Sequence, residues 1–243
     1  MTVRLSLVIP CYNEARSLLQ LVARCAEVVA AEPACEIVLV DNGSTDDSPD
    51  VLARGLAGKA GIRSVRVPVN RGYGHGILEG LRSCESEIVG WTHADLQTDP
   101  MDAVRGLAMF RSERDPTRLF VKGARYGRPI ADAAFTFGMS LFETLWMGHA
   151  MRDINAQPTL FPRTFLEGWR DPPEDFALDL FAYAEAKASG MKVQRFPVLF
   201  APRQHGVSHW NVDWKAKAKF IRRTFDFSVR LRREITARNG GDA

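Results

Sequence analysis

Four short apolar segments recur along the first half of the sequence, and each of them ends abruptly in polar residues. The stretches between them carry apolar residues at helical spacing. The four apolar segments, predicted to be strands, are residues 5–9, 36–40, 64–69 and 87–92. Because alternating strands and helices are typical of α/β folds, the sequence predicts one Rossmann-like domain with a mostly parallel central sheet flanked by helices.

The second half of the sequence is less regular, and its elements are predicted from shorter patterns. Strands are predicted at residues 119–122 and 194–200, and helices at residues 132–146, 174–189 and 210–233. No internal repeat or low-complexity linker interrupts the chain. We therefore expect one domain over residues 1–209, followed over residues 210–243 by a C-terminal amphipathic helix and its tail.

Composition and cysteine usage narrow the class of protein. The chain is 46% hydrophobic and 25% charged, which is ordinary for a globular protein. Its four cysteines form no CxxC pair, and this pattern favours reduced, buried thiols in a cytosolic protein. No signal-peptide pattern precedes the first strand, and the apolar stretch 130–151 is interrupted by Asp132, Glu143 and His149. We therefore expect no integral membrane span.

Charge is distributed unevenly along the chain. The whole chain has a net charge of +3, but residues 215–233 alone carry +7, so the remainder carries −4. The basic residues of this segment are Lys215, Lys217, Lys219, Arg222, Arg223, Arg230, Arg232 and Arg233. Apolar residues recur between them at helical spacing. Two interpretations stay open: a helix packed on the domain with a solvated cationic face, or a helix lying on an anionic membrane surface.

Polar side chains are predicted to meet at one edge of the sheet. Tyr12 and Glu14 follow the first strand, Asp41 the second and Asp95 the fourth. Ligands of such sheets bind at the carboxyl ends of the strands. Carboxylates accept hydrogen bonds from base or ribose groups and Tyr12 offers a stacking face, which suits a phosphorylated nucleoside. Because carboxylates repel phosphate unless Mg²⁺ or Mn²⁺ intervenes, Asp95 is the leading candidate for a metal ligand.

The carboxylates at this edge also have structural interpretations. Asp41 is equally suited to capping the turn that follows its strand. Asp99 with Pro100 is typical of a helix start, and we interpret it that way. Asp95 and Gln97 lie two residues apart on a segment expected to be extended, so their side chains would point to the same side, which favours a shared binding role.

Two further motifs suggest other chemistry. The glycine-rich run at residues 71–76 does not match GxGxxG and no acidic residue follows at the dinucleotide spacing, so a Rossmann dehydrogenase is disfavoured. Its glycines are instead expected to let the backbone turn tightly against a nucleotide. His205 and His209 lack a convincing third ligand, which disfavours a zinc site.

Taken together, these segments resemble the family-2 glycosyltransferases of GT-A fold. The resemblance runs through LSLVIPCYNEARSL, EIVLVDNGSTDDS, the turn at residues 70–74 and HADLQTDP, then more loosely to Arg203 and Ser208. The DLQ segment followed by Asp-Pro is most similar to enzymes that transfer a sugar to a polyprenyl phosphate, such as dolichyl-phosphate mannosyltransferases. The resemblance spans residues 3–210.

The resemblance implies a role for each matching residue. The residues expected to bind the nucleotide sugar are Pro10, Tyr12, Glu14, Asp41, Gly43, Gly72 and Asp95. The residues expected to face an Mg²⁺ or Mn²⁺ ion on the diphosphate are Asp95, Gln97 and His93. The catalytic candidates are Asp175 and Asp179, near the place of the family's catalytic aspartate, and Arg203, which resembles the late segment that closes on the phosphates.

His93 departs from the family pattern, because it stands at the first carboxylate of the DADLQ motif. A neutral imidazole binds Mn²⁺ or Co²⁺ but suits Mg²⁺ poorly, so His93 is expected to weaken Mg²⁺ binding. Alternatively, His93 contacts the donor sugar or the acceptor and is no metal ligand. Asp175 also has two interpretations, since a helix that opens after Pro-Pro favours acidic residues in its first turn.

The predicted function is transfer of a sugar from a nucleotide sugar, with inversion, to a lipid-linked acceptor in cell-envelope glycan synthesis. Polyprenyl phosphate is the expected acceptor, used at the cytoplasmic face of an anionic membrane. One rival is transfer to a hydroxyl of a growing surface glycan, which would need a base such as Asp175. A non-catalytic nucleotide-sugar-binding protein stays open because of His93. A sugar nucleotidyltransferase lacks its basic glycine-rich loop, and nucleic acid is disfavoured because the rest of the chain is acidic.

Overall fold

The computed structural model describes the backbone of residues 3–127, 130–201 and 214–240. It describes the side chains of residues 3–127, 136–201 and 222–238. In these residues one sheet has the strand order β3-β2-β1-β4-β6-β5-β7. The strands are β1 (Leu5–Cys11), β2 (Cys35–Asn42), β3 (Ile62–Val67), β4 (Ile88–Trp91), β5 (Leu119–Tyr126), β6 (Thr159–Pro162) and β7 (Lys192–Leu199). Only β6 runs antiparallel to its neighbours, β4 and β5. The predicted α/β class with a mostly parallel sheet is confirmed.

Helices connect most of these strands and lie on both faces of the sheet. They are α1 (Leu18–Ala31), α2 (Ser48–Leu56), α3 (Tyr73–Arg82), α4 (Asp102–Ser112), α5 (Ile130–Met147), α6 (Arg163–Glu167), α7 (Leu178–Ala188) and α8 (Trp214–Gly240). The predicted helix start at residue 174 is wrong by four residues, because residues 174–177 form a loop before α7. Strand β6 was not predicted, since its four residues carry no periodic pattern.

The sheet separates two layers of buried side chains. On β1, Leu5, Leu7 and Ile9 pack toward α1, α2 and α4, whereas Val8 packs toward α3 and α7. This alternation follows from the period of two along a strand, and it explains why β1 is apolar on both faces. The four cysteines are buried free thiols, and burial raises the pKa of Cys25 and of Cys35 to about 12. The thiols therefore serve packing.

The C-terminal helix α8 packs on α5 and α7. Leu231 is 1% exposed, and Trp146 of α5 donates through Nε1 to the carbonyl of Ser228 at 3.2 Å. At Ser228 and Leu231, α8 therefore meets the domain, which supports the packed interpretation for these residues. Phe225 on the same helix is 45% exposed, and the interpretation in which α8 lies on a membrane stays a prediction. Trp214, Ala218 and Ile221 lie outside the described side chains.

An exposed apolar stripe lies on α5 instead. Phe137, Leu141 and Leu145 are spaced four residues apart and are 69%, 50% and 75% exposed. Residues at this spacing share one face of a helix. No helix within the described part of the chain is both long and apolar enough to cross a membrane.

Candidate functional site

The carboxyl ends of β1, β2 and β4 meet at one edge of the sheet, as predicted. The register pairs Cys11 with Asp41 and Val8 with Trp91, so the loops after these strands begin side by side. Tyr12 is 45% exposed there. This edge gathers Pro10, Tyr12, Glu14, Asp41 and the loop over residues 92–101 that follows β4, called the β4 loop below. Ligands of open α/β sheets bind in this position.

Asp41 has the capping role that its position allowed, and its role in binding a nucleotide stays a prediction. It is 2% exposed, and its Oδ1 accepts a hydrogen bond from the backbone N of Ser44 at 2.9 Å, which caps the turn. Oδ2 is buried without a hydrogen-bond partner among the described residues and lies 3.6 Å from Nε of Arg66. A buried acceptor without a partner is costly, so Oδ2 is suited to receive a ligand's N–H or O–H group.

Hydroxyl groups after β2 fix the loop that follows β1. The backbone N of Asn13 donates to Ser44 Oγ, and that of Glu14 donates to Ser48 Oγ, each at 3.0 Å. The Glu14 carboxylate accepts from Ser17 Oγ at 2.8 Å, just before α1. Glu14 therefore already has a structural partner, and its contact with a nucleoside stays a prediction. The serines of GSTDDS were not predicted to have this role.

The glycines of the two turns make room for protein backbone. A Cβ on Gly43, whose φ is +70°, would stand 2.5 Å from the backbone N of Asn70. A Cβ on Gly72 would stand 2.5 Å from the carbonyl O of Glu174, and one on Gly74 would stand 2.6 Å from that of Pro173. At Gly72 and Gly74 the segment before α7 therefore fills the space that a Cβ would need, and a contact of these glycines with a nucleotide stays a prediction.

Three stacked rings join the β4 loop to the segment before α7. Phe176 stacks on Tyr73 with ring centroids 4.8 Å apart, and Tyr73 stacks on His93 at 5.6 Å. The Tyr73 hydroxyl lies 3.5 Å from His93 Nδ1. Burial, followed by the nearby charges of Asp179 and Asp95, raises the pKa of Tyr73 well above its ordinary value. Because Nδ1 faces Tyr73, Nε2 is the nitrogen of His93 suited to meet a ligand.

Asp95 and Gln97 lie in a tight turn. Asp95 Oδ1 accepts from the backbone N of Gln97 at 3.1 Å, and Leu96 has φ +55°, so the expectation of an extended segment is wrong. Gln97 Nε2 donates to the carbonyl of Ala201 at 3.1 Å, and the N of Ala201 donates to Gln97 O at 2.8 Å. The chain therefore returns beside this turn at Ala201, two residues before Arg203. Arg203, His205, Ser208 and His209 lie outside the described residues.

The donor set at this turn fits a cation that is shared with a substrate. No three His, Cys, Asp or Glu side chains in the described ranges converge on one metal position. Mg²⁺ in phosphate sites usually needs only one or two protein carboxylates, because the phosphates supply further oxygens. Asp95 offers a carboxylate and His93 an imidazole nitrogen, and on Gln97 only the amide oxygen is a suitable ligand atom. An imidazole in this set favours Mn²⁺ over Mg²⁺.

Asp99 is structural, as interpreted from the sequence. Its Oδ1 accepts from the backbone N of Met101 at 2.9 Å, in the turn that leads into α4. Its carboxylate also pairs with the guanidinium of Arg24 on α1, with Nη2 and Oδ2 2.6 Å apart. The carboxylates of HADLQTDP thus divide between a loop at the sheet edge and a helix start.

The two candidate catalytic aspartates lie in different environments. Asp175 Oδ1 accepts from the backbone N of Ala177 at 3.0 Å, and its Oδ2 pairs with Nη2 of Arg223 on α8 at 2.6 Å. Its side chain is 40% exposed. Asp179 is 2% exposed and accepts from Gln157 Nε2 at 2.6 Å. A ligand can therefore reach Asp175 directly, and any catalytic role of either residue stays a prediction.

Lys122 on β5 completes a buried polar cluster that the sequence did not reveal. Its fully buried Nζ donates to Thr159 Oγ1 at 2.7 Å and lies 3.9 Å from Asp179 Oδ1. Burial lowers the pKa of Lys122 to about 7. The one signal in the sequence is a lysine directly after the apolar run Leu119-Phe120-Val121, in a strand of a sheet that is covered on both faces.

Known proteins share this sequence pattern. The family model for glycosyl transferase family 2 matches residues 6–143, which is more than half of the chain. An undecaprenyl-phosphate 4-deoxy-4-formamido-L-arabinose transferase of Pseudomonas fluorescens (strain Pf0-1) is 30% identical over 85% of this chain and 60% of its own length. A protein of the same name from Pseudomonas syringae pv. syringae is 42% identical over 41% of this chain and 30% of its own length. The chain therefore spans less than two thirds of these relatives.

Solved structures share the fold. A mannosyltransferase from Pyrobaculum calidifontis, solved with GDP-Man and Mn²⁺, has a TM-score of 0.68 and 21% identity over 95% of this chain and 65% of its own. Glucosyl-3-phosphoglycerate synthase from Mycobacterium tuberculosis, solved with Mn²⁺, UDP and glucosyl-3-phosphoglycerate, has a TM-score of 0.65 and 14% identity over 95% of this chain and 80% of its own. The predicted GT-A fold is confirmed, and the match of the family model shows that the chain belongs to glycosyltransferase family 2.

Proposed function

We propose that this family-2 glycosyltransferase transfers a sugar from a nucleotide sugar to a polyprenyl phosphate, in cell-envelope glycan synthesis. The observation that carries the proposal is the likeness over 85% of the chain to a transferase whose name specifies undecaprenyl phosphate. The sheet edge agrees with a nucleotide donor, because it combines the exposed ring of Tyr12 with the buried Oδ2 of Asp41, which accepts no hydrogen bond from the described residues.

The proposed reaction is a direct displacement at the anomeric carbon of the donor sugar. A single displacement inverts the configuration, as the bond to the acceptor oxygen forms while the bond to the nucleoside diphosphate breaks. A phosphate oxygen of the acceptor is already anionic at neutral pH, so the protein needs no base to activate it. The task of the protein is then to orient the two substrates and to stabilise the diphosphate that leaves.

We assign the diphosphate side of the site to the β4 loop. Asp95 with His93 and the amide oxygen of Gln97 would hold Mn²⁺ or Mg²⁺, and Arg203 would face the phosphates. Such a cation, when bound, offsets the negative charge that develops on the leaving diphosphate. His93 is oriented for this role by Tyr73, with its Nδ1 3.5 Å from the hydroxyl.

A donor panel tests the proposal. The chain is expected to release nucleoside diphosphate from one of the UDP-, GDP- or dTDP-sugars only when both a divalent cation and undecaprenyl phosphate are present, because hydrolysis without acceptor lacks the oriented nucleophile. Released diphosphate and the labelled lipid product are measured together. Transfer to a glycan hydroxyl with no transfer to undecaprenyl phosphate would contradict the acceptor, and binding of donor without any turnover would contradict the enzyme.

We also propose that the protein lies on an anionic membrane at the cytoplasmic face, where a lipid acceptor is presented. The α5 stripe of Phe137, Leu141 and Leu145 supplies apolar area, and exposed arginines of neighbouring α8 supply positive charge. Arg232 of α8 lies over Trp146 of α5 at 5.1 Å, so the charge borders the stripe. Apolar area and anionic attraction together determine interfacial binding.

Sedimentation with liposomes tests the membrane surface. The protein is expected to sediment with anionic liposomes at low salt, and Leu145→Glu is expected to weaken this binding because it places a charge in the stripe. Leu199→Glu, at a leucine of β7 that is 53% exposed, is the matched control. Equal sedimentation of the two variants, or none by the unmodified chain, would show that α5 is not the contact.

A further inference from the structure

A cleft lies between α5, the start of α7 and α8, next to the candidate site. Its apolar wall residues are Met139, Ile154, Phe176, Ala177 and Leu180. Phe176 also stacks on Tyr73, so this ring is shared by the cleft and the edge of the sheet. An apolar cleft suits a ligand with an apolar body.

The cleft is also lined by Glu143, which is 0% exposed. Glu143 Oε1 lies 2.6 Å from Ser228 Oγ, which in turn lies 2.8 Å from the carbonyl of Thr224. A hydroxyl has a single hydrogen, so both contacts are satisfied when Ser228 donates to Thr224 and a protonated Glu143 donates to Ser228. Burial raises the pKa of Glu143 to about 7, in agreement with this assignment. When Glu143 is protonated, the lining adds no negative charge that would repel an anion.

A positively charged side chain lies at the edge of the cleft. Arg223 of α8 pairs with Asp175, and the residues that follow each partner, Thr224 and Phe176, line the cleft. The two side chains are 62% and 40% exposed. An ion pair this exposed contributes little to stability, so a second anion can displace Asp175 at little cost.

We propose that Arg223 binds the phosphate of a prenyl monophosphate acceptor whose first isoprene units occupy this cleft, and that Asp175 holds Arg223 until the phosphate arrives. This inference rests on the proposed function and adds the acceptor site to it. A planar guanidinium forms two parallel hydrogen bonds with a phosphate as readily as with a carboxylate. Asp175 then acts as a substitute anion, and its carboxylate removes no proton from the acceptor.

Kinetics with a short-chain acceptor test the proposal without a membrane. Farnesyl phosphate in solution, with the active donor and Mn²⁺, gives KM and kcat for each variant. Arg223→Ala is expected to raise the KM for farnesyl phosphate about 10- to 100-fold, since a charge-assisted hydrogen bond contributes roughly 1.5–3 kcal/mol. Asp175→Asn keeps an acceptor for the N of Ala177 and is expected to leave the KM for farnesyl phosphate unchanged or lower.

Arg82→Ala is the matched control. Arg82 on α3 is 58% exposed and pairs with Glu79, much as the 62% exposed Arg223 pairs with Asp175. It is expected to leave the KM for farnesyl phosphate unchanged. Thermal unfolding and the Kd for the nucleoside diphosphate show whether any variant has lost its fold or its donor site.

Each result supports or overturns the assignment. Equal KM values for Arg223→Ala and Arg82→Ala would overturn it, as would loss of kcat in Asp175→Asn at unchanged KM, which would make Asp175 the base. These outcomes leave the proposed function standing, because the unmodified chain still turns over prenyl phosphate. Absence of any transfer to prenyl phosphate by the unmodified chain would overturn the proposed acceptor, and this inference with it.

Discussion

Asp95→Ala is expected to lower turnover at least about 100-fold, because removal of a group that stabilises developing negative charge typically costs two to three orders of magnitude. Asp95 lies in the tight β4 turn with its Oδ1 tied to the backbone N of Gln97. It is the only carboxylate among the residues assigned to the cation, His93, Asp95 and Gln97. Without it, an imidazole and a neutral amide remain, and they cannot balance the charge of Mg²⁺ or Mn²⁺. We therefore also expect nucleoside diphosphate binding to lose its dependence on metal.

Calorimetric titration of nucleoside diphosphate, with and without Mn²⁺, measures this effect independently of turnover. Asp99→Ala provides the control, because Asp99 lies four residues further on and is bound to Arg24 and Met101 in the turn before α4. That variant is expected to lose some stability while keeping metal-dependent binding. If Asp95→Ala kept both turnover and metal-dependent binding, Asp95 would not be the principal metal ligand.

The inner strands β1, β2 and β4 were predictable from the sequence because they are buried on both faces. In β1 and β2 a continuous apolar run followed by polar residues is a strong local signal. Strand β6 gives no such signal: Thr159–Pro162 pairs with β4 and β5 through contacts distant in sequence. The start of α7 shows a second limit. Residues 173–175 are packed against Gly72 and Gly74, so tertiary contact delays the helix that local propensity favoured.

The site was predictable where its residues directly follow strands. Asp41, Tyr12 and Asp95 fall at the sheet edge because parallel strands bring their carboxyl ends together. The partners of these residues were not predictable, since Tyr73 and Phe176 reach His93 from two different segments. The same limit applies to Arg223, which appeared in the sequence as one of eight basic residues and is distinguished only by its contact with Asp175.

At a pH below the Lys122 pKa of about 7, Lys122→Met is expected to lower the free energy of unfolding by about 3–5 kcal/mol, because it leaves the buried carboxylate of Asp179 without its ammonium partner. Asp179 would keep the amide of Gln157, whose Nε2 lies 2.6 Å from its Oδ1, and its interaction with Tyr73. Lys122→Met combined with Asp179→Leu removes both charges. The double variant is expected to be at least about 2 kcal/mol more stable than Lys122→Met, since replacing a buried ion pair by apolar groups is often neutral. Urea denaturation of the unmodified chain, Lys122→Met, Asp179→Leu and the double variant gives the coupling free energy between the two side chains. Additive losses of stability would show that the two groups do not interact.

The same double variant separates structure from chemistry at Asp179. If Asp179 were a catalytic base, a folded double variant would have lost turnover while retaining its affinity for both substrates. If Asp179 has only a structural role, turnover is expected to follow the fraction of folded protein. Tyr73 is a further group affected, because the charge of Asp179 helps to raise its pKa. We expect the second result, because Asp179 is 2% exposed and faces Gln157 and Lys122, and because an anionic acceptor oxygen requires no base.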